Sequence, residues 1–378
     1  MIVRMQERVR KSSTLIVCST PNGRGIHRYA LGLKEQIPGA EILVPRMKSL
    51  LVAWEIVGIL AMWIKISRYG QVIFANSRVS PFVWPLLRRT RTVVVVHDLM
   101  DTTEELNYNS ASDTWVSRLK RSINTWIIKG SIERAWTVIL NSYATKKQID
   151  RLGWVSSANI YILNPVPSFK EYRPVLESDR LISKRAQKNR ICLLSVTGKT
   201  KNKCLGDYFN MVEKLVKSEG IDISMVLVGV EEVELEKRLA IIYAENRDRI
   251  TLKKGIRGKE LLALYMDSDV FVSLSVDEGY GIPLADAAGF GIPVIARDIP
   301  AFSEIANMGG LKGLVELCKD VDEVVELIAK KRDKYCHNEE DRNMVIARRV
   351  ENYARYRQEC RIRAEPALRD LISGWDGR

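Results

Sequence analysis

Histidine is nearly absent from this chain of 378 residues, occurring only at 27, 97 and 337. The six cysteines (18, 192, 204, 318, 336 and 360) are scattered and never form a CxxC pair. No His/Cys group therefore has the spacing of a zinc or iron–sulfur ligand set, and the sequence predicts no metal site. The same scatter gives no disulfide framework. Cys18 and Cys192 fall inside apolar strand-like runs, where a small buried thiol fits a reducing cytoplasm. Acidic residues are in deficit, 46 against 59 basic ones, for a net charge of +13. That surplus favours anionic partners, among them nucleotide sugars, acidic lipid headgroups and nucleic acid, without choosing between them. Met1–Ser13 is polar and basic, and the apolar run 15–18 is too short for the core of a signal peptide, so no secretory leader is expected.

What is present is alternation. Strand-like runs at 15–19, 41–44, 72–75, 92–96 and 137–140 are separated by helical stretches. The four valines at 93–96 carry no polar face, as in a central parallel strand covered on both sides. The pattern breaks at Asn164-Pro165-Val166-Pro167 and over the polar, basic stretch Glu177–Arg190, then restarts. Further runs follow at 191–196, 224–228, 250–252, 270–274 and 294–295. Strands alternating with helices imply βαβ units and doubly wound parallel sheets, hence an α/β chain. Length and the break together predict a domain over 1–170, a second over 171–342, and a charged amphipathic helix within 343–378.

The most informative residues are 273–304, SLSVDEGYGIPLADAAGFGIPVIARDIPAFSE. A hydrophobic strand runs into Glu278-Gly279-Tyr280-Gly281-Ile282, and Pro283 then stands where a first helical residue belongs, since its fixed φ suits a helix start. A small-residue helix follows to Gly289, and a new strand starts after Pro293. Such a strand–loop–helix turn aims backbone N–H groups and a helix dipole at the crevice beyond the strand ends, where phosphate binds well.

This stretch resembles the donor-site signature of family-4 glycosyltransferases, retaining enzymes of the GT-B fold. Their pattern is an acid, then G-[FY]-G-x-P, a second acid eight positions after the first, then G-x-P-V-[IV]-A. Glu278, Gly279, Gly281 and Pro283 match the loop, and Gly291-Ile292-Pro293-Val294-Ile295-Ala296 match the tail. One position departs: the second acid is Asp286 where the family has Glu. The resemblance implies two Rossmann-like domains facing a central cleft, with the last helix returning to the first domain. It implies a metal-independent enzyme, without cofactor, that moves a sugar from a nucleoside-diphosphate sugar to a glycan or lipid-linked acceptor. In that reading Glu278 supports the sugar, Asp286 accepts from the ribose, and Tyr280, Ile282 and the loop glycines line the donor.

Gly198-Lys199 and Lys203 follow the strand at 191–196 and match the family's two phosphate-binding cations, although Cys204 stands where a glycine is usual. A departing diphosphate gains negative charge that fixed cations must neutralise, which is the chemical reason for two lysines here. Without the resemblance, TGKTKNK reads as a solvated basic loop, and Glu278 as a helix cap. For Gly23 and Gly25, after the first strand, the resemblance implies a loop near the donor phosphate and the acceptor, with a plain tight turn as the alternative. His97-Asp98 end a strand at the edge where ligand-facing residues collect, and the family places its His near the reacting sugar. Glu304 matches a family acid, and is ranked above Arg297 and Asp298, which also follow the strand at 294–295 as donor-pocket candidates.

Two segments bear on membranes. Residues 49–66 form an apolar run of borderline spanning length, but Glu55 near its middle favours a buried helix. Residues 112–136 place Trp115, Leu119, Ile123, Trp126 and Ile127 on one face, with Arg118, Lys120, Arg121 and Lys129 elsewhere. Such a helix suits either the anionic inner face of a plasma membrane or packing on its own sheet, and the sequence leaves both open. The competing functions are a nucleotide-sugar epimerase of the same fold and a basic nucleic-acid-binding protein. No nucleic-acid-reading motif is present, so no polynucleotide partner is expected.

Overall fold

The computed structural model describes residues 14–18, 25–44, 66, 68–79, 81–87, 91–99, 115–154, 159–169, 190–217, 219–256, 258–333 and 342–373. Gly23, the apolar run 49–65 and most of the basic stretch Glu177–Arg190 lie outside the described residues. Two compact units divide the chain: Met1–Val166 with Cys360–Arg378, and Pro167–Glu359.

The first unit is built on six parallel strands: β1 (Thr14–Val17), β2 (Glu41–Leu43), β3 (Gln71–Phe74), β4 (Arg91–Val96), β5 (Thr137–Leu140) and β6 (Asn159–Ile162), in spatial order β2-β1-β3-β4-β5-β6. Helices α1 (Gly25–Gln36), α2 (Trp84–Leu87), α3 (Trp115–Arg134) and α4 (Tyr143–Arg151) belong to it. Successive strand residues point to opposite faces. Leu15, Val17, Val72, Phe74, Val94, Val96, Val138 and Leu140 accordingly enter one buried cluster. Ile16, Ile73, Val93, Val95 and Ile139 enter another, on the opposite face, together with Tyr29, Leu33, Ala364, Leu368 and Leu371. Burial on both faces is why β4 reads as unbroken valine.

The second unit repeats the plan with β7 (Ile191–Val196), β8 (Ile223–Val228), β9 (Ile250–Lys253), β10 (Val270–Ser273), β11 (Val294–Arg297) and β12 (Val315–Cys318), all parallel, in order β12-β11-β10-β7-β8-β9. Its helices are α5 (Leu205–Lys217), α6 (Lys237–Glu245), α7 (Lys259–Asp267), α8 (Ile282–Gly289), α9 (Pro300–Ala306) and α10 (Val321–Lys330). The final helix, α11 (Arg342–Ser373), contributes its first half to this unit and, from Cys360 onward, its second half to the other. Helices α5 and α10 cover one sheet face through Phe209, Val212, Leu215, Val324 and Ile328. A second buried group is aromatic: Phe290 stacks on Tyr353 with centroids 3.9 Å apart, and Phe169, Tyr265 and Phe271 adjoin them.

Two strands differ from expectation, β6 and β12, which the sequence does not announce. Both are edge strands with only one neighbour, and their burial is partial, so neither carries a full hydrophobic run. Arg297 is also corrected: it ends β11 rather than following it, and β12 rather than β11 is the last strand.

Candidate functional site

In the second sheet the chain winds outward from β7 through β8 to β9, then returns to the other side of β7 with β10. The carboxyl ends of β7 and β10 therefore flank a topological switch point, the place where open α/β sheets bind ligands. The two loops singled out from the sequence leave the sheet here. They are stitched together, since Val276 N–H donates to Asn202 O (2.9 Å) and Asn202 Nδ2 donates to Asp277 O (3.0 Å). Asn202 is buried, so these bonds are sheltered from water.

The stitching brings Lys203 and Glu278 into an ion pair, 75 residues apart in sequence, with both side chains mostly buried. Gly281 is the N-cap of α8, in the left-handed region at φ 101°, and a Cβ there would lie 2.6 Å from the Phe302 ring. Only glycine fits on both counts. Because Gly281 caps the helix and no side chain does, Glu278 is not a cap. Pro283 lies in the first turn, as expected, and the opening N–H groups of α8 have no partner within the helix. Past β8, Gly229 has φ 110° and would place a Cβ 2.2 Å from Thr197 O, which fixes another close approach beside the same loop.

Cys204 is the single non-glycine residue with positive φ (47°) among the described residues. That conformation explains why glycine suits the position, and here a cysteine bears the strain. Tyr208, one turn into α5, accepts from Leu274 N–H at 2.9 Å, tying α5 to the end of β10. Burial pushes its phenol above the ordinary range. Arg297 reaches back to Asp207 (2.5 Å), and Asp298 accepts from Ser303 Oγ (2.8 Å).

Not every expected residue gathers here. Lys199 is 69% exposed and pairs with Glu234 Oε1 at 3.3 Å, the oxygen that also accepts from Lys254 at 2.9 Å. The bond from Lys254, with help from Lys199, holds the Glu234 carboxyl below the usual carboxylate range. The Tyr280 hydroxyl faces Met308 Sδ at 3.6 Å, so its ring serves the core. Gly279 is buried beside it, and Ile282 and Glu304 are half-buried. Asp286 is 2% exposed, and its Oδ1 accepts from Tyr353 OH (2.6 Å) and from Ser168 N–H (3.1 Å). A ribose hydroxyl would therefore compete with bonds this carboxylate already makes. Asn202, Glu234, Lys254 and Tyr353 were missed in the sequence. Asn202 stands between the two lysines and could have been suspected, but the others lie dozens of residues away and no spacing signals them.

The first unit has its own switch point between β1 and β3. His97, at the end of β4, donates through Nε2 to Ala75 O (2.9 Å) just past β3, and its ring meets Tyr29 edge-on at 4.9 Å. Burial lowers its pKa to about 4, against the opposing pull of that carbonyl. The imidazole is therefore neutral at physiological pH, and Nδ1 is left as an acceptor. Tyr29 OH in turn donates to Leu163 O at 2.8 Å. Gly25 opens α1, and a Cβ there would meet nothing within 4 Å.

Comparison with known proteins bears on these loops. Residues 179–349 match the family described as Glycosyl transferases group 1. The O-antigen chain mannosyltransferase RfbU of Salmonella typhimurium is 27% identical over 186 residues, 49% of this chain and 49% of that protein. The chain spans about half the length of RfbU and less of the other curated relatives it matches first. Among solved structures, sucrose-phosphate synthase of Thermosynechococcus elongatus superposes with a TM-score of 0.66 at 16% identity, over 96% of this chain and 99% of that one. Anabaena HepE in complex with UDP-glucose gives 0.66 at 14% identity, over 94% and 99%. At such identities the likeness is one of fold, and the fold is GT-B. The second unit of this chain, across residues 179–349, is thus related to the glycosyl transferases group 1.

Proposed function

We propose that the protein transfers a sugar from a nucleoside-diphosphate sugar to an acceptor hydroxyl, keeping the anomeric configuration and using no metal. The observation that carries this reading is the Lys203–Glu278 ion pair at the switch point of the second sheet, inside the residues matched to the family. A diphosphate entering there takes Lys203 from Glu278 and meets the opening N–H groups of α8. Lys199, exposed and held only by a surface pair, swings in from Glu234. Fixed charges placed where negative charge develops lower the barrier without reorganising water. Glu278, relieved of Lys203, accepts from the sugar hydroxyls and faces the positive charge that grows at the anomeric carbon. The bond from that carbon to the diphosphate breaks and the bond to the acceptor oxygen forms on the same face. The leaving phosphate oxygen takes the acceptor proton, so no covalent carboxylate is needed. His97, neutral, offers an acceptor nitrogen at the end of β4 rather than a charge.

RfbU is named for O-antigen chain synthesis, which favours a cell-surface glycan or its lipid-linked precursor as the acceptor class, and a cytoplasmic reaction. None of the five described cysteines forms a disulfide, in keeping with that compartment. The test is turnover with GDP-mannose and with UDP-glucose, each with and without a glycan acceptor, in the presence of EDTA. Transfer that survives EDTA, with the anomeric configuration read by NMR, supports the reading. Sugar altered without any acceptor would instead mark an epimerase. Tight binding of polynucleotide with no binding of nucleoside diphosphate would end the enzyme reading.

A further inference from the structure

Helix α3 behaves differently at its two ends. From Ile128 onward it is packed: Ile128 and Ile132 join the first unit's core, and Gly130 is so close to Trp84 that a Cβ would lie 2.4 Å from its ring. Between Trp115 and Trp126 one face is open, and the Trp126 ring at its end lies 4.7 Å from that of Trp84. Trp115 is 72%, Leu119 51%, Ile123 48% and Trp126 56% open to solvent. At 100° per residue these four positions fall within roughly 80° of the helix circumference, so they form one continuous apolar stripe. Arg118 and Lys129 lie beyond one edge of the stripe and Lys120 beyond the other. Across the twenty residues of α3 the basic side chains are Arg118, Lys120, Arg121, Lys129 and Arg134, and the single acid is Glu133, which pairs with Lys129 in the packed half.

An apolar stripe with tryptophan at each end and cations along both borders, on a helix with no acid before Glu133, is complementary to one surface in particular. Indole rings favour the headgroup boundary of a bilayer, aliphatic side chains between them reach the acyl region, and the flanking cations meet anionic headgroups. A second copy of this chain fits poorly, because it would set a net basic helix against another. We infer that the exposed half of α3 is a docking surface for an anionic phospholipid membrane, along which the protein lies without spanning it. Among the described residues no helix, α3 included, is long and apolar enough to cross a bilayer. The inference rests on α3 alone and stands apart from the chemistry of the second unit.

The experiment is sedimentation of the full chain with vesicles of pure phosphatidylcholine and of phosphatidylcholine mixed 3:1 with phosphatidylglycerol. The wild type is expected to bind the mixed vesicles and to stay in solution with the neutral ones. Lys120→Glu should weaken binding about tenfold or more, and added salt should do the same. Trp115→Ser with Leu119→Ser should weaken it by a similar factor while leaving the salt dependence in place. None of these residues is buried, so the thermal midpoint should not move, which separates lost docking from lost folding. Equal binding to both vesicle types, binding to neither, or variants that bind like the wild type would overturn the inference. So would a concentration-dependent dimer in sedimentation velocity that the Trp115→Ser/Leu119→Ser variant abolishes, since the stripe would then serve a second copy.

Discussion

The two sheets share a plan and differ in what they present at its centre. Each has six parallel strands and one point where the winding reverses. In the second unit that point holds opposite charges, Lys203 against Glu278, fastened by Asn202 across the two loops. In the first unit the nearby ring is His97, uncharged, bonded to a carbonyl and enclosed by Tyr29. Two doubly wound sheets of different strand order thus carry, beside their switch points, a site that stabilises charge and a site that offers only a hydrogen bond. The loop residues at each point set that chemistry.

The contrast is broken most directly at Lys203. Lys203→Ala should reduce transfer by about 100-fold or more, the scale of losing one group aimed at developing charge, and should abolish nucleoside-diphosphate binding measured by calorimetry. Glu278→Gln keeps the shape and should lower turnover by a similar order while diphosphate binding persists, because the carboxylate acts on the sugar. Turnover unchanged in both would remove the charged half of the comparison.

Tyr353→Phe probes a polar contact that is buried but lies off the switch point. It deprives Asp286 Oδ1 of a 2.6 Å bond and Phe169 N–H of its acceptor, and should cost about 1–3 kcal/mol in urea unfolding with little change in turnover. A large fall in donor affinity instead would mean that Asp286 serves the nucleotide after all.

The neutral half is sharpened by pH. The folded pKa of His97, about 4, is below the ordinary value of 6.5, so the unfolded chain binds a proton that the folded one refuses. Stability from this group is complete above about pH 6.5 and is lost as pH falls toward 4. The check is urea unfolding of wild type and His97→Gln across that window. The wild type should lose more stability than the variant as acid is added, and parallel curves would contradict the assignment. The smallest effect belongs to Cys204→Gly. Relief of the left-handed strain, offset by the entropy of an added glycine, should leave a gain of no more than about 1 kcal/mol.

Much of this was legible in the residues. The runs 137–140 and 191–196 match strands β5 and β7 residue for residue, because a strand buried on both faces writes its full length in apolar side chains. The edge strands β6 and β12 are exposed in part and left no such mark. Helix α8 was announced by Pro283 and closed by Gly289 and Gly291, since helix ends impose local rules. Lys203 and Glu278 were each read from their loops, and the structure pairs them, although the sequence announced no ion pair. The turning of Lys199 to Glu234 and of Asp286 to Tyr353 was not, because those partners meet only through tertiary packing. Helix α3 shows the same limit: its amphipathic period allowed either a packed or an open face, and the structure assigns one to each half.

The route of α11 has a consequence for how the protein is born. Ala364, Leu368 and Leu371 complete the hydrophobic core of a unit whose strands lie about two hundred to three hundred and fifty residues earlier in the chain. That unit must wait with one flank uncovered until residues 364–371 have been made, a window in which chaperones would find apolar surface to hold. A stop codon just before Cys360 would spare every residue of the diphosphate loops and still leave the opposite end of the chain unable to finish folding.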